Sequence, residues 1–153
     1  MPDLRIGRML LEKRFLQAAL LVVALIPITA GLSGVLNGPS FFDVSAGVSA
    51  DSHMRYLSGL LLGIGVQALT IVPHVERHAG RMGALTLIVF VGGISRLYSL
   101  AVVGGPDITM TLALFVELLI TPALFVWVRR VSRFNLETQR SGAPPDPGLV
   151  HRQ

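Results

Sequence analysis

Apolar residues in this chain occur in four long blocks that are separated by short polar stretches. The blocks cover about residues 15–36, 56–73, 82–103 and 108–128. Each is close to the roughly 20 apolar residues with which an α-helix crosses the hydrocarbon core of a bilayer. The pattern therefore predicts an all-α integral membrane protein, a four-helix bundle that occupies residues 15–128.

A short link joins the last two blocks. It has the sequence Gly104-Gly105-Pro106-Asp107, and Gly and Pro are residues that interrupt helices. So short a link requires the two helices that it joins to be antiparallel neighbours. Outside the bundle, residues 1–14 form a basic segment. Residues 129–153 are polar and contain the stretch SGAPPDPG, so we predict a disordered tail there.

The composition supports a membrane protein. Of the 153 residues, 52% are hydrophobic and 14% are charged, whereas a soluble domain has about 25% charged residues. The net charge of +4 comes from basic residues that flank the apolar blocks. We therefore expect these charges to meet the lipid bilayer and not nucleic acid. Cysteine is absent, which excludes disulfides and thiolate chemistry.

Basic residues also predict the orientation of the bundle. Because positive residues stay on the cytoplasmic side, both termini are expected to be cytoplasmic, with Asp43, Asp51 and Asp107 on the outer face. Arginine almost replaces lysine, which is typical of GC-rich bacterial genomes, so we expect a bacterial cytoplasmic (inner) membrane. The basic residues precede the first block, occupy the second loop and follow the fourth block: Arg5, Arg8, Lys13, Arg14, Arg77, Arg81, Arg129, Arg130, Arg133 and Arg140.

Two charged residues interrupt the last two apolar blocks, Arg96 in the third and Glu117 in the fourth. Counted from the short link, Arg96 lies roughly 12 Å and Glu117 roughly 15 Å into the bundle. An unpaired charge at the centre of a transmembrane helix costs about 2.5–3.5 kcal/mol on the insertion scale. Because the two helices are adjacent and antiparallel, we expect an Arg96–Glu117 ion pair that faces the bundle interior.

Polar and small residues recur at four-residue intervals on one face of the second helix: Arg55, Gly59, Gly63 and Gln67. Residues at this spacing lie one above the other on a helix, so we expect Gln67 near the level of the ion pair. We predict that these polar side chains line a candidate ligand-binding cavity: Arg55, Gln67, Arg96 and Glu117. The alternative is that the ion pair locks the helices in register without any ligand.

Small residues are expected at the contacts between helices, because they allow two backbones to approach closely. Asp51, one turn before Arg55, is expected to form an ion pair with it near the outer end of the second helix. Four glycines are predicted to pack helices together, two with GxxxG spacing and two about one turn before Arg96: Gly59, Gly63, Gly92 and Gly93.

Neither a metal site nor a catalytic constellation is indicated. The stretch HVERH places His74 and His78 four residues apart, but no third ligand is evident, so a solvated loop is favoured over a zinc site. No phosphate-binding loop, dinucleotide fingerprint or Ser-His-Asp order can be assembled. We therefore expect no metal, no cofactor and no enzymatic activity.

Several stretches resemble a family of small bacterial membrane proteins, domain of unknown function 4345. The resemblance runs from about residue 11 to residue 133 and implies four membrane spans without implying an activity. The positions that carry it most clearly are Arg55, Arg96, Gly105-Pro106, Glu117 and Pro122. The similar stretches are LEKRFLQAALLVVALIPITAG, DSHMRYLSGLLLGIG, GGISRLYSLAVVGGP and ELLITPALFVW.

Two functions remain open at the level of the sequence. The first is a non-enzymatic membrane protein that binds or passes a small apolar or amphipathic ligand, such as a lipid, in the predicted polar cavity. The second is an accessory subunit whose glycine-rich faces dock another membrane protein or a second copy of the chain. In that case the Arg96–Glu117 pair is purely structural.

Overall fold

In the computed structural model, the chain forms long helices in the order that the apolar blocks predict. The structure describes residues 2–42, 47–105 and 108–141, and within these the side chains of 7, 10–41, 47–105 and 108–134. The helices are α1 (Pro2–Asn37), α2 (Val48–Ile71), α3 (Ala79–Val103), α4 (Ile108–Phe115) and α5 (Thr121–Ser141). A π-helical turn, Val116–Ile120, joins α4 to α5, so these pieces form one long fourth helix. The predicted all-α, four-helix architecture is confirmed.

All four long helices could cross a membrane by length and composition. Their apolar segments are 25 to 32 residues long, and their outward surfaces carry many exposed Leu, Val, Ile and Phe side chains. Acyl chains are the environment in which such surfaces are stable. The chain is therefore an integral membrane protein, with the segments Leu10–Phe41, Val48–Arg77, Ala79–Val103 and Ile108–Phe134 as its spans.

Three helices extend beyond the predicted apolar blocks. α1 begins at Pro2, α2 begins at Val48, and α5 continues to Ser141. α5 runs through residues 129–141, which the sequence analysis assigned to a disordered tail, and Val131 in this part of the helix is buried in the core. Residues 142–153 lie outside the described part of the chain.

Glycines with positive φ end two of the helices. Gly38, at φ 60°, follows α1 and opens a 3₁₀ turn, and Gly104 and Gly105, at 77° and 56°, follow α3. Glycine adopts this backbone region at little cost because it has no Cβ. The chain therefore reverses where the sequence predicts a link. Pro106, Asp107 and, in the first loop, Asp43 lie outside the described residues.

The segment between α2 and α3, Val72–Arg77, forms two short 3₁₀ turns that are separated by a kink at His74, where φ is −128° and ψ is 47°. Pro73 lies in its first turn, where the missing N–H is tolerated. Val75 is completely buried. This turn therefore belongs to the core of the bundle.

The core lies towards the end of the bundle at which α1 begins and α5 ends, and it includes residues from the middle of α1 and the first half of α5. We call this end the basic end, because the Val72–Arg77 turn and the predicted cytoplasmic arginines lie there. The opposite end, with Gly38 and Gly104, is the turn end. The core residues are Leu16, Leu20, Ile71, Val75, Met82, Leu124, Val128 and Val131.

The bundle consists of two helical hairpins, α1 with α2, and α3 with the long fourth helix. Polar contacts at the basic end join parts of the chain that are distant in sequence. Gln17 Nε2 donates to the carbonyl oxygens of Val72 at 2.9 Å and Pro73 at 3.1 Å. Lys13 Nζ lies 3.0 Å from Glu76 Oε2. The end of α2, whose carbonyls lack partners within the helix, is thereby tied to α1.

α1 and α2 touch through glycines that the sequence reasoning did not select. A Cβ added at Gly31 would lie 2.5 Å from the backbone nitrogen of Leu62 and 2.7 Å from the carbonyl oxygen of Ser58. A Cβ at Gly65 would lie 2.5 Å from Ile28 Cγ1. These two positions, and not Gly59 or Gly63, set the distance between the helices.

The packing expected of the four predicted glycines therefore needs correction. Among the described atoms, a Cβ at Gly63 or Gly92 meets nothing within 4 Å, and at Gly59 it would only touch Val35 at 4.0 Å. The stripe that contacts α1 contains Ser58 and Gly65, which are buried. One residue rotates the side chain by about 100° around a helix, so the predicted face was offset by one position.

Candidate functional site

Arg96 of α3 and Glu117 of the π-helical turn form the predicted ion pair. Arg96 Nε donates to Glu117 Oε2 at 3.1 Å, and Nη2 donates to Oε1 at 3.1 Å. The guanidinium fork thus holds both carboxylate oxygens, the geometry in which arginine binds carboxylates most strongly. The prediction that these two charges meet at matching depth is confirmed.

A glycine brings the two helices close at this point. Gly93 is buried, and a Cβ added there would lie 3.0 Å from Glu117 Cβ and 2.7 Å from Leu118 Cδ2. The carboxylate therefore reaches Arg96, one turn further along α3, from a backbone that almost touches α3. Of the four predicted packing glycines, Gly93 is the one in tight contact.

Glu117 lies on an irregular part of the fourth helix. Residues Val116–Ile120 form a π-helical turn, and Thr121 Oγ1 donates to the carbonyl oxygen of Val116 at 2.9 Å. Pro122 follows and cannot donate an N–H to the carbonyl one turn earlier. Wide turns of this kind occur often at functional sites. The irregular turn lies just before the proline in the chain.

The pair is partly covered, not enclosed at the centre of the bundle. The side chain of Glu117 is 19% exposed and that of Arg96 is 36% exposed. The expected position in the bundle interior is therefore corrected to the interface between α3 and the fourth helix. This follows from the hairpin arrangement, because the partner of α3 at this depth is the fourth helix.

Arg96 has hydrogen-bonding capacity beyond the ion pair. Its Nη1 lies 2.7 Å from the sulfur of Met110, a weak acceptor. A guanidinium carries five N–H groups. Two of them bond Glu117 and one faces Met110, so the remaining two have no protein acceptor among the described residues. Met110 was missed by the sequence reasoning, although it precedes Glu117 by two helical turns and therefore shares its face.

A cavity of about 360 Å³ lies beside Arg96, between α3 and α4. Apolar side chains form most of its wall and the guanidinium supplies a charged group. This is the usual constitution of a small-molecule site. The lining residues are Arg96, Ser99, Leu100, Val103, Gly104, Met110, Thr111 and Leu114.

Arg55 lies at the turn end of α2 and holds the end of α1. Its Nη1 donates to the carbonyl oxygens of Val35 at 2.6 Å and Leu36 at 3.1 Å. Its Nε and Nη2 donate to Asp51 at 2.9 Å and 3.2 Å, so the predicted Asp51–Arg55 pair is confirmed. The carbonyls at the end of a helix need such donors, and Arg55 supplies them.

Gln67 lies elsewhere, in the part of α2 that approaches the basic end. Its Oε1 accepts a hydrogen bond from Arg81 Nη2 at 2.9 Å, and the same nitrogen lies 3.3 Å from Thr70 Oγ1. Arg81 precedes Arg96 by fifteen residues on α3, or about 22 Å. Gln67 is therefore not at the level of the ion pair, because it lies beside Arg81 in the first turn of α3.

The four predicted polar residues thus occupy three places. Arg96 and Glu117 are in direct contact, Arg55 caps α1, and Gln67 binds Arg81. Of the four, Arg96 lines the cavity described above. The single cavity expected around all four is replaced by a smaller one between α3 and α4.

His74 lies within the segment Val72–Arg77 and His78 directly follows it, and their rings contact each other edge to face. Their ring centroids are 6.5 Å apart, and His78 Nδ1 lies 2.9 Å from the carbonyl oxygen of His74. No group of three or more metal-binding side chains occurs in the part of the chain that the structure describes.

Comparison with known proteins gives a family and nothing more specific. No curated protein and no solved structure matches the chain. The family model described as Domain of unknown function (DUF4345) matches residues 15–128, which is most of the chain and coincides with the predicted four-span region. The chain therefore belongs to the DUF4345 family.

Proposed function

We propose that this protein binds a small amphipathic molecule within the membrane, in the cavity between α3 and α4. The observation that carries the proposal is the position of Arg96. Its guanidinium is fixed by Glu117, lines the cavity and retains N–H donors that no described protein acceptor uses. The role is one of binding or passage, not of catalysis.

The chemistry of the cavity favours a ligand with an apolar body and an oxygen acceptor. The ion pair as a whole is neutral, so the site does not require an anion. A carbonyl or hydroxyl oxygen is a stronger acceptor than the thioether of Met110 that now faces Arg96 Nη1. Leu100, Val103 and Leu114 would contact the apolar body.

The position of the arginines at the basic end supports a bacterial inner-membrane location with both termini in the cytoplasm, because positive residues stay on the cytoplasmic side. Arg96 lies eight residues before Gly104, or about 12 Å from the turn end along α3. In this orientation the cavity opens in the outer half of the bilayer. A molecule in the outer leaflet, or one arriving from outside, would reach it directly.

Native mass spectrometry of gently extracted protein tests this function. We expect a co-purifying molecule that is lost when Leu100, in the cavity wall, is replaced by the larger side chain of tryptophan. Leu97→Trp is the matched control, because Leu97 is exposed on the same helix and does not line the cavity. Retention of the molecule by both variants, or its absence from the wild-type protein, would count against the proposal.

A second candidate is an accessory subunit. It is favoured by Gly63 and Gly92, which are exposed and have open space around them among the described atoms. Small residues on a lipid-facing surface allow another transmembrane helix to approach. The same spectra would then show a second chain in place of a small molecule, and that complex would be lost in Gly63→Leu or Gly92→Leu protein.

A further inference from the structure

A second cavity of about 400 Å³ lies on the outer surface of α5 at the basic end, far from the Arg96 site. We call it the α5 groove. Along the helix, two apolar residues come first, three arginines follow, and one phenylalanine lies at the far end. They are Phe125, Val126, Arg129, Arg130, Arg133 and Phe134.

The arginines of the α5 groove are incompletely neutralised. Arg130 Nε lies 3.8 Å from Glu12 Oε1, and its side chain is 79% exposed. That same carboxylate oxygen already accepts a hydrogen bond from Trp127 Nε1 at 3.1 Å. Arg129 and Arg133 have no carboxylate partner among the side chains that the structure describes. Counting only the side chains that the structure describes, the groove therefore carries an excess of positive charge.

The α5 groove also has an apolar surface, which an inorganic ion would leave uncovered. The guanidinium of Arg129 lies over the ring of Phe125, 5.7 Å from its centroid. This contact holds the charge at the rim of an apolar floor. Val126 is exposed on the same surface. One face of α5 thus changes from apolar to cationic within two turns.

This change occurs where a transmembrane helix leaves the hydrocarbon region. Trp127, of a residue type that is enriched at the membrane–water interface, lies at the same level of α5. A partner for this surface must bring a negative charge at headgroup depth and an apolar chain beside it. Phosphate suits the guanidinium fork particularly well.

We propose that the α5 groove binds one anionic phospholipid. The headgroup phosphate lies against Arg129 and Arg133, and an acyl chain lies along Phe125 and Val126. A free phosphate ion would use the arginines and leave the apolar floor uncovered. A zwitterionic lipid would cover the floor and neutralise the arginines less well.

Lipid titration of the detergent-solubilised full chain, followed by native mass spectrometry, tests the proposal. Phosphatidylglycerol is the anionic probe, phosphatidylcholine the zwitterionic probe, and inorganic phosphate the headgroup without acyl chains. We expect one phosphatidylglycerol to bind more tightly than any further one. We expect phosphatidylcholine to bind at least tenfold more weakly, and inorganic phosphate not to compete at millimolar concentration.

Variants separate a specific groove from a general effect of charge. The double variant Arg129→Gln/Arg133→Gln should weaken the first phosphatidylglycerol by about thirtyfold, or about fivefold for each basic residue near an anionic headgroup. Arg14→Gln/Arg77→Gln removes the same charge from exposed positions outside the groove. It should change this affinity by less than about threefold, as a long-range effect screened by salt.

Three results would overturn the proposal. They are equal weakening by both double variants, equal affinity for the two lipids, and displacement of the lipid by inorganic phosphate. Both double variants change exposed side chains, so we expect both to fold. The helical circular dichroism signal checks this. If the groove variant does not fold, Val126→Glu places a negative charge on the groove floor. It should also abolish the tight phosphatidylglycerol, and unchanged binding by that variant would equally contradict the assignment.

Discussion

Gly93 and Glu117 lie against each other across the interface of α3 and the fourth helix, so closely that a Cβ on Gly93 would be 3.0 Å from the Cβ of Glu117. This contact determines how far the carboxylate stands from Arg96, one turn further along α3. A charge pair in the membrane is stable only when its geometry is good. The glycine is therefore part of the ion-pair site although it carries no functional group.

Replacing Gly93 by alanine should destabilise the protein by about 1–3 kcal/mol, the usual cost of adding a methyl group to a filled interface. Glu117 and Leu118 would have to move, and the pair with Arg96 would lengthen. Gly92→Ala is the control, because its Cβ would enter open space among the described atoms, and its effect should stay within about 0.5 kcal/mol. Denaturant unfolding in detergent micelles measures both. Equal effects of the two variants would show that Gly93 is not in the interface.

The packing of α1 on α2 predicts a larger effect at Gly31. A methyl group there would meet backbone atoms, at 2.5 Å from Leu62 N and 2.7 Å from Ser58 O, and backbone cannot move aside as a side chain can. We expect Gly31→Ala to cost about 3 kcal/mol, the upper end of the range for overpacking. Gly63→Ala, on the predicted GxxxG stripe, should be nearly neutral. If Gly63→Ala lowered the unfolding free energy more than Gly31→Ala, the packing that the sequence suggested would be the correct one.

Arg55 is predicted to stabilise the end of α1. Arg55→Gln removes the donors to the carbonyl oxygens of Val35 and Leu36, which then lack a charged hydrogen-bond partner. We expect a lower unfolding free energy, together with faster amide hydrogen exchange in the last turn of α1. Arg55→Lys keeps the charge but cannot reach the carbonyls and Asp51 at once, so its loss should be intermediate. Unchanged exchange in Arg55→Gln protein would mean that the cap is unimportant.

Orientation can be tested directly, because the chain has no cysteine of its own. Ser40→Cys lies at the turn end, and Gly80→Cys lies at the basic end beside the start of α3; both positions are exposed. In intact cells, a maleimide that does not cross the membrane should label Ser40→Cys and spare Gly80→Cys. After permeabilisation both should react. Labelling of Gly80→Cys alone in intact cells would invert the assignment of the cytoplasmic side.

Sequence reasoning succeeded where a fixed helical geometry controls the outcome. The depth of Arg96 and Glu117 follows from the rise per residue and the position of the turn. The Asp51–Arg55 pair follows in the same way from a spacing of one turn.

It failed where the outcome depends on which side of a helix faces its neighbour or on how far a side chain reaches. The stripe from Gly59 to Gly63 was one position away from the face that touches α1. Gln67 was assigned to the level of the ion pair because its contact with Arg81, in the first turn of α3, could not be foreseen. The π-helical turn around Glu117 likewise depends on packing, and the sequence analysis did not predict it.

The central claim is that Arg96 and Glu117 stabilise each other within the membrane, and a double-mutant cycle of Arg96→Ala and Glu117→Ala measures this directly. Each single substitution leaves one charge without its partner and should lower the unfolding free energy by about 3–5 kcal/mol, whereas the double substitution should restore much of that loss. Losses that simply add in the double variant would show that the two charges do not interact, and would contradict the account.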